Sequence, residues 1–158
     1  MQNKMLIQIH NKLLKQKKTI AIAESCTGGL LSAELTKNPG ASVYFLLGVV
    51  AYSNKSKERI LKIPPKLISK YGAVSRQVAI SMAENIRKKS KADLGISITG
   101  IAGPGGATAN KPVGTVFICL STKNINTCQK LSLHGSRRSI QKKAIQKVLH
   151  LLCEHLLL

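Results

Sequence analysis

The sequence predicts an α/β protein, a mixed sheet of about five strands covered by helices on both faces. Three observations predict it. Runs with helical apolar spacing alternate with short β-type apolar runs over most of the chain, the order of a sheet built with crossover helices. Towards the C-terminus two β-type runs are separated only by a short polar turn, which adds an antiparallel hairpin to that sheet. With 158 residues and 44% apolar side chains, the chain has the size of one domain that buries its own core, and residues 1–158 are read as a single domain.

The elements follow in order. Residues 3–17 carry Met5, Leu6, Ile9, Leu13 and Leu14 at spacings of three and four, an amphipathic helix. Residues 19–23 form a short buried strand that runs into Glu24-Ser25-Cys26-Thr27-Gly28-Gly29. Leu30, Leu31, Ala33 and Leu35 give a helix that ends before Pro39-Gly40. Residues 46–52, with Val49 and Val50, read as a second strand. Ser53-Asn54 offers an N-cap to a helix over 55–61, which Ile63-Pro64-Pro65 stops; Pro65 opens a further short turn through Lys70. Ser75 caps a longer helix with inward positions Val78, Ala79, Met82, Ala83 and Ile86. Its basic end, Arg87-Lys88-Lys89, suits the negative pole of the helix dipole. Residues 92–99 make a third strand leading into a glycine-rich loop, and 113–120 and 127–133 make the hairpin about Lys123-Asn124. The last helix, 139–157, turns Ile140, Ala144, Val148, Leu151 and Leu152 inward.

Composition narrows the function classes. Twenty-five Lys and Arg against 6 Asp and Glu give a formal charge of +19, a field that concentrates phosphate-bearing ligands and nucleic acid alike. The lysines are spread over most segments and aromatics make up 3%, which leaves little to stack bases on, so no specific nucleic-acid partner is expected. No window is apolar enough to span a membrane, and the N-terminus scatters lysine through a helical pattern unlike a signal peptide, so a cytoplasmic protein without a membrane partner is expected. Cys26, Cys119, Cys128 and Cys153 show no Cys-x-x-Cys pair, and reduced thiols are expected. With so few acids, neither a metal site nor another cofactor is implied.

Two stretches concentrate chemistry. The turn after the first strand holds Ser25 and Cys26 as candidate nucleophiles and sets the N–H groups of Thr27, Gly28 and Gly29 at the positive end of a helix, where an anion or a developing oxyanion would bind. A nucleophile there needs a base. Of the four histidines, His10, His150 and His155 lie on terminal helices and only His134 sits by a turn, while Asp93 belongs to the far end of a strand. Lys or Tyr remains: Tyr52, Lys55 and Lys57 follow the second strand, with Arg59 nearby, and converge on Ser25 if that strand neighbours the first. A lysine serves as base near neutral pH only when its pKa is lowered, and such lysines are ordinarily solvated surface residues. The second stretch, residues 99–114, joins Gly100, Gly103, Gly105 and Gly106 with Pro104 and Pro112, a stiffened backbone nest suited to phosphate or ribose.

Five blocks, AESCTGG, GVVAYSNKSK, YGAVS, TGIAGPGG and KPVGTV, in this order, resemble the CinA C-terminal domain family over residues 20–120. The resemblance implies a three-layer α/β/α sandwich with a mostly parallel sheet that hydrolyses the carboxamide of nicotinamide mononucleotide (NMN) to nicotinate mononucleotide and ammonia, without a cofactor. It implies Ser25 as nucleophile with Lys57 and Tyr52 as activating partners; Cys26 is the rival nucleophile in the same turn, because a thiolate is intrinsically stronger. Substrate contacts are implied for Glu24, Thr27, Gly28, Gly29, Asn54, Thr99, Gly100, Gly103, Gly105 and Gly106, with Arg137 placed for the phosphate. Ser136 stands where many relatives carry Asp, which puts the local hydrogen bonding in question. The chain is similar to the stand-alone form of the domain, and the resemblance with the apolar tail 151–158 raises the expectation of a homodimer. A nucleotide-binding module of the same fold without the chemistry is the alternative.

Overall fold

The computed structural model describes residues 2–157. The chain runs α1 (Gln2–Gln16), β1 (Ile20–Glu24), α2 (Leu30–Leu35), a 3-10 turn (Ala41–Val43), β2 (Phe45–Val50), α3 (Asn54–Leu61), α4 (Pro65–Tyr71), α5 (Arg76–Ser90), β3 (Leu94–Gly100), β4 (Thr115–Ser121), β5 (Asn126–Ser132) and α6 (Arg137–Leu157). One five-stranded sheet has the order β2-β1-β3-β4-β5. β1 pairs in parallel with β2 and β3, and the hairpin adds β4 and β5 as antiparallel neighbours. Only β4 therefore runs against the other four.

Side-chain size divides the two faces. On β1, Ile20 and Ile22 point into a core shared with Leu6, Ile9 and Leu13 of α1 and with Val148, Leu149 and Leu152 of α6. Ala21 and Ala23 point the other way, against Val78, Met82 and Ile86 of α5. Small residues there let α5 lie close to the sheet: a Cβ on Gly95 would meet the Ala83 carbonyl oxygen at 2.1 Å. Ser97 continues that face and donates its hydroxyl to the Ala79 carbonyl at 2.6 Å. β1, between two neighbours and two helical layers, is wholly buried.

The caps fall where the sequence sets them. Ser53 Oγ accepts from the Ser56 N–H and Ser56 returns the bond, a capping box that fixes the start of α3. Ser75 Oγ accepts from the Val78 N–H at the start of α5, and the five apolar positions expected on that helix are all buried.

One expectation is corrected. Cys119 and Cys128 are joined by a disulfide instead of being reduced. Their separation of nine carries no motif, but the β4–β5 register sets them directly opposite each other, with Cα atoms 4.1 Å apart; Cys26 and Cys153 are free. In the apolar tail Leu151, Leu152 and Leu156 belong to the core under α1, and among its described residues only Leu157 is a large exposed apolar residue. Among the described residues no helix is long and apolar enough to cross a membrane.

Candidate active site

Parallel pairing of β2, β1 and β3 brings their carboxyl ends to one edge of the sheet, the usual place for ligand sites in open α/β folds. The turn after β1 is organised by Glu24, which is fully buried. Its Oε2 accepts from the Thr27 hydroxyl (2.6 Å) and the N–H groups of Gly29 (3.1 Å) and Leu31 (3.2 Å). Its Oε1 accepts from the N–H (2.8 Å) and the hydroxyl (2.7 Å) of Ser32. A carboxylate at the start of α2 thus satisfies donors that a helix of six residues would leave open. Gly28 and Gly29 turn the chain with φ of +63° and +97°, which side chains with a Cβ rarely adopt.

This turn presents Ser25, 7% exposed, at the end of β1. From α3, Lys57 reaches in beneath it: Nζ lies 3.0 Å from Ser25 Oγ and 2.9 Å from the Ala51 carbonyl oxygen. Lys57 is 2% exposed and shares the buried face of α3 with Leu61, one turn on, whereas Lys55 and Arg59 point to solvent. Among the described residues no carboxylate forms an ion pair with Lys57, and burial lowers its pKa from the ordinary 10.5 and favours the neutral amine. Ala51 then fixes one N–H of that amine and leaves its lone pair for the serine proton. Burial acts in the opposite sense on the rival nucleophile, pushing the Cys26 thiol up to about 12 and keeping it protonated.

Above Ser25 opens a cavity of about 280 Å³ whose lining includes Cys26, Tyr52, Val74, Gly103 and Arg137. Gly100, Gly105 and Gly106 complete the wall formed by the loop after β3. Space explains two of these glycines: a Cβ on Gly100 would meet Val116 Cγ2 at 2.7 Å, and one on Gly103 would meet Val113 Cγ1 at 2.6 Å. Arg137, first residue of α6, donates to the Gly103 carbonyl at 2.7 Å and to the Tyr52 hydroxyl, so its guanidinium bridges two walls of the cavity. Ser136 takes over the capping that an Asp would provide, its hydroxyl accepting from the Ser139 N–H at 3.3 Å.

The structure brings Ser25, Lys57, Tyr52, Arg137 and the loop glycines together. It does not place every expected contact at the cavity. Glu24 and Thr27 bond each other inside the turn, and neither lines the cavity. The Gly29 N–H goes to Glu24 and the Gly28 N–H to the Ser25 carbonyl, so neither is open to an oxyanion. Among the described residues the N–H groups of Cys26 and Thr27 make no hydrogen bond to another residue, and that of Cys26 follows the nucleophile, the position used for oxyanion binding in strand-to-helix serine turns. Thr99 is buried with its hydroxyl on the Ala73 carbonyl (2.9 Å), and Asn54 is exposed at the start of α3. The Tyr52 hydroxyl is held by Arg137 and shows no bond to Lys57.

Sequence reasoning missed Val74, Ile101 and Ala102 in the lining and the Ala51 carbonyl on Lys57. The block containing Tyr-Gly-Ala-Val-Ser was a signal for Val74; nothing local marks a carbonyl. No histidine lines the cavity: His10 meets the Tyr44 phenol at 3.2 Å and His134 is exposed. Asp93 bonds the N–H and hydroxyl of Thr19, each at 2.8 Å, at the opposite end of the sheet. Among the described residues no group of three His, Cys, Asp or Glu side chains is placed to hold a metal ion.

Comparison with known proteins adds the relatives. The family model described as the CinA C-terminal domain matches residues 2–156. A CinA-like protein of Desulfotalea psychrophila is 48% identical over 145 residues, which cover 92% of this chain and 35% of that protein. A CinA-like protein of Pseudothermotoga lettingae is 45% identical over 142 residues, covering 89% and 35%. The chain spans about a third of the length of these curated relatives. Among solved structures, the competence/damage inducible protein CihA from Agrobacterium tumefaciens superposes with a TM-score of 0.92 at 32% identity, covering 96% of this chain and 93% of that one. The competence or damage-inducible protein from Enterobacter asburiae superposes with a TM-score of 0.95 at 29% identity, covering 99% and 98%.

Proposed function

The chain belongs to the CinA C-terminal domain family, and from that premise we propose that it hydrolyses the carboxamide of NMN to nicotinate mononucleotide and ammonia. The observation that carries the reading is the Ser25–Lys57 pair, a hydroxyl 3.0 Å from an amine that burial holds below its ordinary pKa. An activated nucleophile of this kind serves acyl transfer.

Ser25 Oγ attacks the amide carbon while its proton passes to neutral Lys57 Nζ. The oxygen that becomes negative is met by the Cys26 N–H, with the loop after β3 closing the other side. The C–N bond breaks as the Lys57 ammonium returns the proton to the leaving nitrogen, which departs as ammonia. Lys57, neutral again, takes a proton from water, whose oxygen attacks the acyl-serine; Ser25 leaves with that proton and nicotinate mononucleotide is released. Arg137, the cationic side chain in the lining, suits the phosphate, and the +19 charge draws an anionic substrate in. Tyr52 acts at the mouth of the cavity through Arg137, not as a second base.

The test is release of ammonia and nicotinate mononucleotide from NMN by the metal-free protein, with Ser25→Ala and Lys57→Ala alongside. Both variants are expected to fold and to lose at least ~10³-fold in turnover. Wild-type protein that binds NMN without releasing ammonia sinks the amidase and leaves a nucleotide-binding module; loss on Cys26→Ala with retention on Ser25→Ala moves the nucleophile to the thiol.

A further inference from the structure

The Cys119–Cys128 bridge takes no part in the chemistry of Ser25 and Lys57, and as a staple it adds little. β4 and β5 already pair without a break from Thr115↔Ser132 to Ser121↔Asn126. The sulfurs close a separation of only nine residues, and a cross-link gains least from restricting the unfolded chain when its loop is short. Its place is more telling. β5 is an edge strand and Cys128 is its one buried position, flanked by exposed Thr127 and Gln129. Cys128 is 8% exposed and Cys119 is fully buried, so a thiol meets the bridge from the sheet edge, at the Cys128 sulfur. On the inner side the bridge packs in one cluster with Ala79, Ala83 and Val74.

Val74 also lines the cavity above Ser25. The segment 73–76 runs between the two: Arg76 donates to the Cys128 carbonyl at 2.8 Å, and the Ala73 carbonyl accepts from Thr99 at 2.9 Å. Further along, α5 is clamped to the sheet by Ser97 on the Ala79 carbonyl and by the close approach of Ala83 to Gly95. We propose that Cys119–Cys128 is a reversible redox site, opened by a dithiol reductant, whose state sets the cavity wall at Val74. A thiolate of the reductant attacks Cys128 Sγ, the S–S bond breaks, and Cys119 leaves as a thiolate that takes a proton. The second thiolate of the reductant attacks the mixed disulfide, closes the reductant's own disulfide and frees Cys128, which is protonated in turn. Two electrons and two protons thus pass from the dithiol to the protein. Sulfurs that no longer share a bond sit farther apart, and a close-packed cluster absorbs this only by displacing neighbours. Ala79 and Ala83 are held, so the displacement falls on the start of α5 and on Val74. Its effect on NMN rests on the amidase reading; the loosening of 73–79 does not.

Dithiothreitol on the native full chain tests this. Alkylation in denaturant, mapped by peptide mass, should label Cys26 and Cys153 before treatment and all four cysteines after it. Without substrate, amide exchange over 73–79 should quicken at least ~10-fold on reduction while α1 is unchanged. KM for NMN should rise about 5-fold with kcat within about 2-fold. Reoxidation by oxidised glutathione should restore each value. Cys119→Ala with Cys128→Ala should show no response to dithiothreitol; should that variant fail to fold, the mapped thiols and the reversal in the wild type decide. Four labelled cysteines before treatment overturn the proposal, as does a bridge that yields only in denaturant. So do unchanged exchange over 73–79, a quickened exchange with unchanged KM, and a response that persists in the double variant. If NMN is not turned over at all, the amidase reading fails by itself, and labelling with exchange decides this one.

Discussion

The two turns that leave the carboxyl end of the sheet, after β1 and after β3, are built in opposite ways. The first closes on itself, with Glu24 accepting five hydrogen bonds and Glu24, Ser25, Cys26 and Thr27 all buried. The second is tied at its base, where the Ile101 N–H meets the Thr115 carbonyl and the Gly114 N–H meets the Ile101 carbonyl, while 104–110 is exposed. Its middle reaches the rest of the molecule through two long side chains, Arg137 on Gly103 and Lys111 on the Tyr71 carbonyl. A nucleophile has to be held to a fraction of an ångström by its surroundings, whereas a binding loop has to keep backbone donors open. Changes around the first turn should therefore act on turnover and stability, and changes around the second on substrate affinity.

The largest expected effect breaks the chemistry while sparing the fold. Lys57→Met keeps most of the volume and removes the base, so NMN turnover should fall at least ~10³-fold. Stability should move the other way. A lysine whose folded pKa lies below its unfolded value opposes folding wherever it is charged; that cost is full below the folded pKa and gone above the unfolded value of 10.5. The melting temperature of Lys57→Met should thus exceed that of the wild type at neutral pH, with the gap closing as pH approaches 10.5. In the wild type, turnover should rise with pH along a limb whose midpoint lies below 10.5, the lowered pKa of Lys57. A midpoint at or above that value would mean a solvated amine and would remove Lys57 as the base.

Next comes Glu24→Ala, which strands the five donors around one carboxylate. A loss of about 3 kcal/mol or more in denaturant unfolding is expected, the scale for leaving several buried polar groups without partners. A loss under about 1 kcal/mol would show that the first turn is held by its packing and that its hydrogen bonds are not what separates it from the second.

How far these two turns were legible in the sequence follows from their physics. Elements came through because apolar period, Ser caps and Pro stops are local: the inward residues of α5 read correctly one by one. Ser25 and Lys57 could be brought together once β2 was set beside β1, and the turn of helix linking Lys57 to Leu61 separates the buried lysine from exposed Lys55 and Arg59. Glu24 enters as a substrate contact through the resemblance, and the five donors that surround its carboxylate are set by the folded turn, which spacing does not show. The Arg137–Tyr52 bond spans 85 residues and the Cys119–Cys128 bridge depends on strand register. Neither leaves a trace in spacing.

In the second turn the effects should be smaller and should fall on binding. Arg137→Ala removes the bridge between Gly103 and Tyr52 and the cation at the cavity. KM for NMN should rise about 10-fold, kcat should change less than about 3-fold, and the melting temperature should barely move, since an exposed side chain is lost. Unchanged KM with a collapse of kcat would instead put Arg137 among the groups that act on the transition state.

Lys111→Ala should have the smallest effect and bears most directly on the contrast between the turns. Lys111 Nζ donates at 2.7 Å to the Tyr71 carbonyl, the negative end of α4, whereas Arg137 holds the loop at Gly103. Loss of one partly exposed charge-assisted bond costs about 1 kcal/mol or less, and a loop released there still has its base pinned at Ile101 and Gly114. A rise in KM of about 2-fold with unchanged kcat is expected, measured beside Arg137→Ala at the same ionic strength. If Lys111→Ala destabilised the protein as much as Glu24→Ala, the loop would be part of the folded framework, and the division between a rigid nucleophile turn and an adaptable binding loop would fail.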